Sequence, residues 1–252
     1  LNAYKRTDYL KEQVEAVRNQ SIPPEDIWIW YNKPEDREQI ELDAPGCKIV
    51  QSNYNFKFHG RFALGLLART PYVAFFDDDT IPSPKWFENC LNTVKEGYDG
   101  ILGGIGCILE TDTYDPCTKV GWDYPNEQVQ EVDLVGHAWF MHKTYLRYLW
   151  LEDPLTWENG EDIQLCYLAQ KYGKVKTYVP AHPKENTELW CNNPKTASLY
   201  ANDEHANGVH VPSHLPTRNK IASTYIKEGG WKTVPSFNPF TGGGVSTPQE
   251  TR

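Results

Sequence analysis

The sequence predicts an α/β protein in which a mostly parallel central sheet is flanked by helices within a single domain. Two observations lead to this fold class. Short runs of apolar, β-branched and aromatic residues alternate with segments whose apolar residues recur at helical spacing, which is the pattern of βαβ units. Three adjacent aspartates also follow directly after the apolar run at 72–76, and parallel sheets bind ligands at the carboxyl ends of their strands.

The first half of the chain shows this alternation clearly. Leu10, Val14 and Val17 recur at helical spacing and are followed by a Pro-Pro pair, which predicts an amphipathic helix and its end. The acidic segment between residues 33 and 42 is compatible with a turn or a short helix. The other predicted elements are strands at 26–32, 47–52 and 72–76 and helices at 58–68 and 85–97.

The second half is less regular. A glycine-containing strand is predicted at 98–109, a strand at 131–143, and a helix followed by a strand within 158–180. The polar stretch 110–130 and the region 182–225 show little periodicity. We therefore predict one domain over residues 1–228, with two halves at 1–105 and 106–228. The Gly- and Pro-containing residues 229–252 are predicted to form a flexible tail.

Composition and charge exclude several classes of function. The 252 residues carry a formal net charge of −9 and no run of Lys or Arg, which argues against a nucleic-acid partner. No segment reaches the ~20 apolar residues needed to span a bilayer. The six cysteines lack metal-site spacing and are expected to be mostly buried thiols. A cytoplasmic location is favoured, and a Golgi or ER lumen is expected only if an N-terminal anchor has been removed.

The aspartates at 77, 78 and 79 form the first candidate motif. Three neighbouring carboxylates repel one another unless a cation lies among them, and carboxylate pairs bind Mg²⁺ or Mn²⁺ with positions left for phosphate oxygens. Such an ion would neutralise charge on a departing diphosphate. The alternative interpretation is an acidic solvent-exposed turn in which Asp79 or Thr80 caps a short helix.

A second enzyme class also places aspartates after a strand. Phosphohydrolases of the haloacid dehalogenase type have a strand followed by Asp-x-Asp-x-Thr/Val, with the first Asp as nucleophile. Here Thr80 comes one place too early and Ile81 stands where the Thr or Val belongs. The match therefore fails by one residue, and this class remains the alternative enzyme.

The segment 157–162 contains the second candidate motif. Asn159, Glu161 and Asp162 open a predicted helix, where carboxylates are stabilised by the helix dipole. In a structural interpretation Asn159 and Asp162 form a box-like cap. In a functional one, a carboxylate takes the proton from an acceptor hydroxyl as general base.

Taken together, the two motifs resemble those of the nucleotide-sugar glycosyltransferases of the GT-A type, in particular the family 2 group and the exostosin catalytic domain. The resemblance covers about residues 1–180 and includes only the end of the first strand. It is carried by the stretches "LNAYKRTDYLKEQVEAVRNQSIPP", "IWIWYNKPED", "NYNFKFHGRFALGLLARTPYVAFFDDDT", "DLVGHAWFMHK" and "ENGEDIQLCYLAQKYG".

The resemblance implies a role for individual residues. Near the nucleoside it places Tyr4, Arg6 and Asn32, and at the ribose it places Asp77 or Asp78. It also implies that Arg61 approaches the diphosphate, that Asp79 with Asp77 ligates the metal, that Asp162 is the base, and that Glu161 and Asn159 lie beside the sugar.

Two further sets of residues are candidates by type. Some relatives use a late histidine as a metal ligand; of His205, His210 and His214 we rank His214 first, with Arg218 and Lys220 as possible diphosphate clamps. Sugar rings present apolar faces, so aromatic residues between the two motifs are candidates for acceptor binding. These residues are Trp122, Tyr124, His137 and Trp139, for which simple packing is the alternative.

The resemblance thus implies a glycosyltransferase that uses Mn²⁺ or Mg²⁺, a nucleotide-sugar donor, with a UDP-sugar favoured, and a glycan or glycoconjugate acceptor. It also implies that residues 1–105 are the nucleotide-sugar-binding half and residues 106–228 the acceptor-binding half. Inversion at the anomeric carbon is favoured and retention stays open. A different class, a binding module that keeps nucleotide and metal without turnover, would require Asp162 to be purely structural.

Overall fold

Strands of two sheets form the centre of the computed structural model, which describes residues 1–36, 38–193 and 212–235. The strands are β1 (Asn2–Ala3), β2 (Trp28–Tyr31), β3 (Lys48–Gln51), β4 (Tyr72–Phe76), β5 (Gly100–Leu109), β6 (Cys117–Gly121), β7 (Gln130–Val132), β8 (Leu134–His142) and β9 (Lys176–Val179). The smaller sheet has the order β1-β2-β3, and the larger one has the order β4-β8-β5-β9-β7 with β6 paired to β5.

The predicted α/β class is confirmed, with three parallel strands in the smaller sheet and a larger sheet in which β6, β7 and β8 run antiparallel to β4, β5 and β9. Both strand pairs of the smaller sheet are parallel. In the larger sheet β8 is antiparallel to both of its neighbours, so β4 and β5 point the same way, and β9 is parallel to β5. The reversed strand β8 therefore lies between two parallel strands, directly beside the end of β4 that carries the aspartates.

Helices cover these sheets. They are α1 (Leu10–Arg18), α2 (Gly60–Gly65), α3 (Trp86–Lys95), α4 (Glu161–Gly173) and α5 (His214–Lys227), with 3₁₀ helices at Lys143–Trp150 and Thr187–Leu189. The apolar stripe predicted for α1 is buried, as its spacing indicates. None of the helices in the described ranges combines the length and the apolar character needed to cross a membrane.

Two regions differ from the sequence prediction. Helix α5 lies in the region 182–225, where the sequence shows little periodicity, and β6 lies in the polar stretch 110–130. Part of the predicted tail also packs on the domain: Trp231 is buried, and the Val234 N–H donates to the Asp133 carboxylate at 2.6 Å. Residues 229–235 are thus held by the domain, and residues 236–252 of the predicted tail lie outside the described residues.

The cysteines agree with the expectation of mostly buried thiols. Cys90, Cys107, Cys166 and Cys191 are buried, and all six cysteines are free.

A cavity of about 730 Å³ lies between the smaller sheet and β4, lined mainly by apolar side chains such as Trp28, Tyr72 and Phe87. The lining does not include any of the three aspartates, but it does include Arg61, which contacts Asp77.

Candidate active site

The three aspartates follow β4 directly, and their loop is fixed by helix α1. The Gln13 side-chain amide donates to the backbone carbonyls of Asp77 and Thr80, each at 2.7 Å. Gln13 is buried, so these bonds are shielded from water. These bonds hold the backbone of the loop that carries the three carboxylates.

His137 of β8 faces these carboxylates. The backbone carbonyl of His137 accepts from the Asp77 N–H at 2.9 Å, and its Nδ1 lies 3.9 Å from Asp77 Oδ2 and 4.0 Å from Asp79 Oδ1. Its φ of 62° lies in the left-handed region, beside an irregularity in the pairing of β5 with β8. Such bulges redirect a side chain at the cost of local strain. The sequence predicts acceptor binding for His137, but the structure places it among the aspartates.

Asp77, Asp79 and His137 form a candidate metal group. One ligand atom from each residue lies within 4.8 Å of the others. The Nδ1 atom of His137 is buried and makes no hydrogen bond to the described residues. Two carboxylate oxygens and one imidazole nitrogen suit Mn²⁺ and are compatible with Mg²⁺. These residues fit the divalent ion that the sequence predicts.

Arginine side chains balance the charge of the aspartates. Arg6, predicted near the nucleoside, pairs with Asp78 and lies 3.1 Å from Asp79. Burial and the neighbouring Asp79 charge raise the pKa of Asp78 to about 6, although Arg6 opposes this shift. Burial also disfavours ionisation of Asp79, but His137 and Arg6 together hold the pKa of Asp79 well below its usual range. Asp79 therefore remains ionised more readily than Asp78.

Arg61 connects the two motifs. Its guanidinium pairs with Asp77 and lies 3.3 Å from the Glu161 carboxylate at the start of α4. It is almost fully buried and lies 4.7 Å from the ring centroid of Trp139. Asp77 and Glu161 are far apart in the sequence, yet a single side chain contacts both of them.

Asp162 is held by an arginine of α5. Arg218 donates to both carboxylate oxygens of Asp162, at 3.0 and 2.7 Å, and the Ile163 N–H donates to the same carboxylate at 2.8 Å. Both side chains are buried, and the guanidinium also stacks 4.2 Å from the ring centroid of Tyr114. Burial favours the neutral acid, but Arg218 outweighs it and lowers the pKa of Asp162. Asp162 is therefore ionised and fixed in one orientation.

Glu161 behaves differently from Asp162. Burial and the adjacent Asp162 charge raise the pKa of Glu161 to about 7, against the opposing effect of Arg61. At neutral pH Glu161 is therefore present in both its protonated and its ionised form, whereas Asp162 is ionised.

This difference predicts a pH-dependent contribution of Glu161 to stability. A carboxyl group with a raised pKa in the folded state contributes stability that is present below its unfolded pKa and is lost as pH rises through the folded value. We expect the free energy of unfolding of the wild type minus that of Glu161→Gln to fall as pH rises from 4.5 to about 7. Urea unfolding of both proteins at several pH values measures this difference, and a constant or rising difference would contradict the raised pKa.

Two residues predicted near the nucleoside are engaged elsewhere in the protein. Asn32 is buried; its amide donates to the Asn55 side chain and the Lys57 carbonyl, and its oxygen accepts from the Phe56 N–H. Asn32 therefore holds the loop at 55–57 through these hydrogen bonds, and its side chain is too buried to contact a ligand. The Tyr4 hydroxyl, by contrast, is partly exposed and donates to Glu35 at 3.2 Å, so it borders the same loop.

His214, predicted as a metal ligand, lies beside the second motif. Its Nδ1 is 2.9 Å from the Asn159 side-chain nitrogen, and Asn159 also accepts from Arg218 at 3.2 Å. It does not belong to the candidate metal group of the described residues, where His137 takes the third place. The other two candidate histidines, His205 and His210, lie outside the described residues.

The aromatic residues predicted for acceptor binding have different environments. Trp139 is 2% exposed and packs under Arg61 and against Phe62, so it belongs to the core and cannot contact an acceptor. Trp122 is partly exposed, and its ring meets that of His137 edge-on at 4.3 Å. Tyr124 is exposed. Of these, Trp122 and Tyr124 lie where a ligand can reach them.

Sequence reasoning missed the role of Gln13 and the pairing of Arg218 with Asp162. Gln13 lies in the apolar stripe of α1, between Leu10 and Val14, and its polar side chain on a buried helix face was the available signal. For Arg218 the sequence suggests only a clamp for a diphosphate. Because the helix that carries Arg218 is not predicted, its contact with Asp162 could not be foreseen.

The chain is similar to known proteins both in its sequence family and in its fold. The family model described as Glycosyl transferase family 2 matches residues 2–149. The crystal structure of S. aureus TarS 1-349 is similar with a TM-score of 0.50 at 14% identity, covering 72% of this chain and 59% of that chain. A second crystal structure of S. aureus TarS has a TM-score of 0.47 at 13% identity, covering 71% of this chain and 35% of that one. This chain therefore spans less than two thirds of either TarS structure. No curated protein sequence matches significantly.

Proposed function

Because the chain belongs to glycosyl transferase family 2, we propose that it moves a sugar from a nucleoside diphosphate donor, with a UDP-sugar favoured, to a hydroxyl group of a glycan or glycoconjugate. The observation that carries this proposal is the meeting of the two motifs at Arg61. A candidate cation site and a pair of carboxylates are thereby held next to each other.

Asp77, Asp79 and His137 would hold Mn²⁺ or Mg²⁺, which supplies charge neutralisation for the diphosphate when bound. Arg61 and Arg6 both contact members of this group and add positive charge where a diphosphate would lie. Trp122, which lies beside His137, and the exposed Tyr124 would provide aromatic surface for the acceptor.

We assign the general base to Asp162 and favour inversion. Its carboxylate is ionised and oriented by Arg218, so it can accept the proton of an acceptor hydroxyl. The ion pair lowers its basicity, and Glu161, with a pKa of about 7, is the neighbouring group that would help to receive the proton. Asn159 supports this arrangement through its bond with Arg218.

A thermal-shift panel tests the proposal. The protein is heated with UDP, GDP, CDP or dTDP, each with and without Mn²⁺. One nucleotide is expected to stabilise the fold by about 2.7 kcal/mol at 100 times its Kd, and only with metal. Stabilisation by no nucleotide in the presence of Mn²⁺ would contradict the proposed function. Release of phosphate from simple phosphomonoesters would instead favour the phosphohydrolase alternative.

A further inference from the structure

His59 is a buried imidazole without a hydrogen bond. Its side chain lies just before α2 and is 3% exposed, and neither ring nitrogen has a partner among the described residues. Burial, assisted by the charge of Arg61, lowers the pKa of His59 to about 4, so the ring is neutral at physiological pH. A neutral imidazole offers one N–H donor and one acceptor nitrogen. Buried polar atoms are rarely left unpaired, which points to a partner from outside the chain.

Two exposed tryptophans flank this histidine. The ring of Trp157 lies 4.9 Å from that of His59, and the ring of Trp150 lies 6.3 Å away. They are 56% and 36% exposed. Beside them Lys57 and Glu158 form an ion pair at 3.2 Å that joins the two loops. We call His59, Trp150 and Trp157 the Trp157 patch.

The chemistry of the Trp157 patch suits a neutral sugar ring. A pyranose presents an apolar face of C–H groups, which packs on an aromatic ring, and hydroxyl groups that both donate and accept hydrogen bonds. An apolar protein surface would cover the tryptophans but leave His59 unpaired. An anionic ligand would find Lys57 already paired with Glu35 and Glu158. A saccharide satisfies all three side chains.

The position of the patch relates it to the candidate active site. Trp157 precedes Glu161 by four residues, and His59 precedes Arg61, which contacts Glu161, by two. We propose that the Trp157 patch is a subsite for a neutral sugar ring of the acceptor, which packs on Trp157 and hydrogen-bonds to His59. Because His59 is buried beside the exposed indole of Trp157, this indole would have to rotate for a sugar hydroxyl to reach the imidazole. This inference rests on the proposed function, and it adds a second acceptor subsite to the surface proposed at Trp122 and Tyr124.

Fluorine NMR of protein labelled with 5-fluorotryptophan tests the subsite directly. The probes are the methyl glycosides of glucose, galactose, mannose and N-acetylglucosamine at tens of millimolar, and a Trp157→Phe variant assigns the resonance. We expect at least one glycoside to shift the Trp157 resonance in a saturable manner. His59→Phe keeps a ring of similar shape, removes two unpaired polar atoms and should fold as well as the wild type. It is expected to weaken the binding about tenfold.

Tyr98→Ala is the matched control, because Tyr98 is an exposed aromatic residue outside the patch. It should leave the binding unchanged. Absence of a shift at Trp157 with every glycoside, equal binding by His59→Phe, or a shift confined to Trp122 would overturn the inference. The nucleotide panel on the same proteins separates the two proposals. Nucleotide binding without a glycoside response refutes the subsite alone, whereas absence of nucleotide binding in the wild type refutes the proposed function.

Discussion

Replacing Asp79 with Asn is expected to abolish metal-dependent stabilisation by nucleotide and to lower kcat/KM for transfer by about 10²- to 10⁴-fold. Asp79 contributes a ligand atom to the candidate metal group, and its low pKa keeps it ionised. An amide oxygen is a weaker ligand and carries no charge to balance the cation. Titration with Mn²⁺ followed by electron paramagnetic resonance measures the loss of metal affinity directly.

Asp78→Asn is the matched control for this variant. Asp78 is adjacent in sequence and equally part of the acidic run, but it pairs with Arg6 and is not a member of the metal group. We expect it to weaken nucleotide binding while the dependence on metal persists. If Asp79→Asn bound Mn²⁺ as tightly as Asp78→Asn does, the metal would have to be held elsewhere.

The location of the aspartates was predictable because it is a local property. The apolar run Tyr72–Phe76 is recognisable as a strand by itself. Ligands of α/β sheets bind at the carboxyl ends of the strands, so the position of the aspartates could be predicted without knowing which strands lie beside this one. The place of Glu161 and Asp162 at the start of a helix was equally local, since first-turn carboxylates are stabilised by the helix dipole.

The position of the His137 side chain beside the aspartates was not predictable from the sequence of its own strand. Alternation along β8 indicates two faces, but the left-handed φ at His137 breaks this pattern where β8 pairs with both β4 and β5. Only that pairing shows which way the imidazole points. The same argument applies to Trp139, which is buried under Arg61, a residue from a distant part of the chain.

Helix α5 escaped prediction because one position of its buried stripe is charged. Its buried residues are Arg218, Ile221, Ala222 and Tyr225, which recur at helical spacing. An arginine on such a stripe masks the apolar pattern on which helix prediction depends. The burial of Arg218 is explained mainly by its ion pair with Asp162, 56 residues earlier.

Replacing Arg218 with Met is expected to lower the free energy of unfolding by about 3 to 5 kcal/mol at neutral pH. The substitution keeps an apolar side chain of similar length but leaves Asp162 charged and buried without its partner. Because Arg218 lowers the pKa of Asp162, the ion pair stabilises the fold above the ordinary pKa of 3.8, and this contribution is lost as pH falls through the folded value. The difference between wild type and variant should therefore be largest at neutral pH and shrink in acid.

Lys227→Met in the same helix provides the control. Lys227 pairs with Asp112 at 2.7 Å, but both side chains are about half exposed, and solvent-exposed pairs of this kind contribute little to stability. Urea unfolding of both variants compares a buried with an exposed ion pair on one helix. The double variant Asp162→Asn/Arg218→Met removes the stranded charge and should recover part of the loss. Equal effects of Arg218→Met and Lys227→Met would show that Asp162 is not held by Arg218, and the orientation assigned to the base would then have no support.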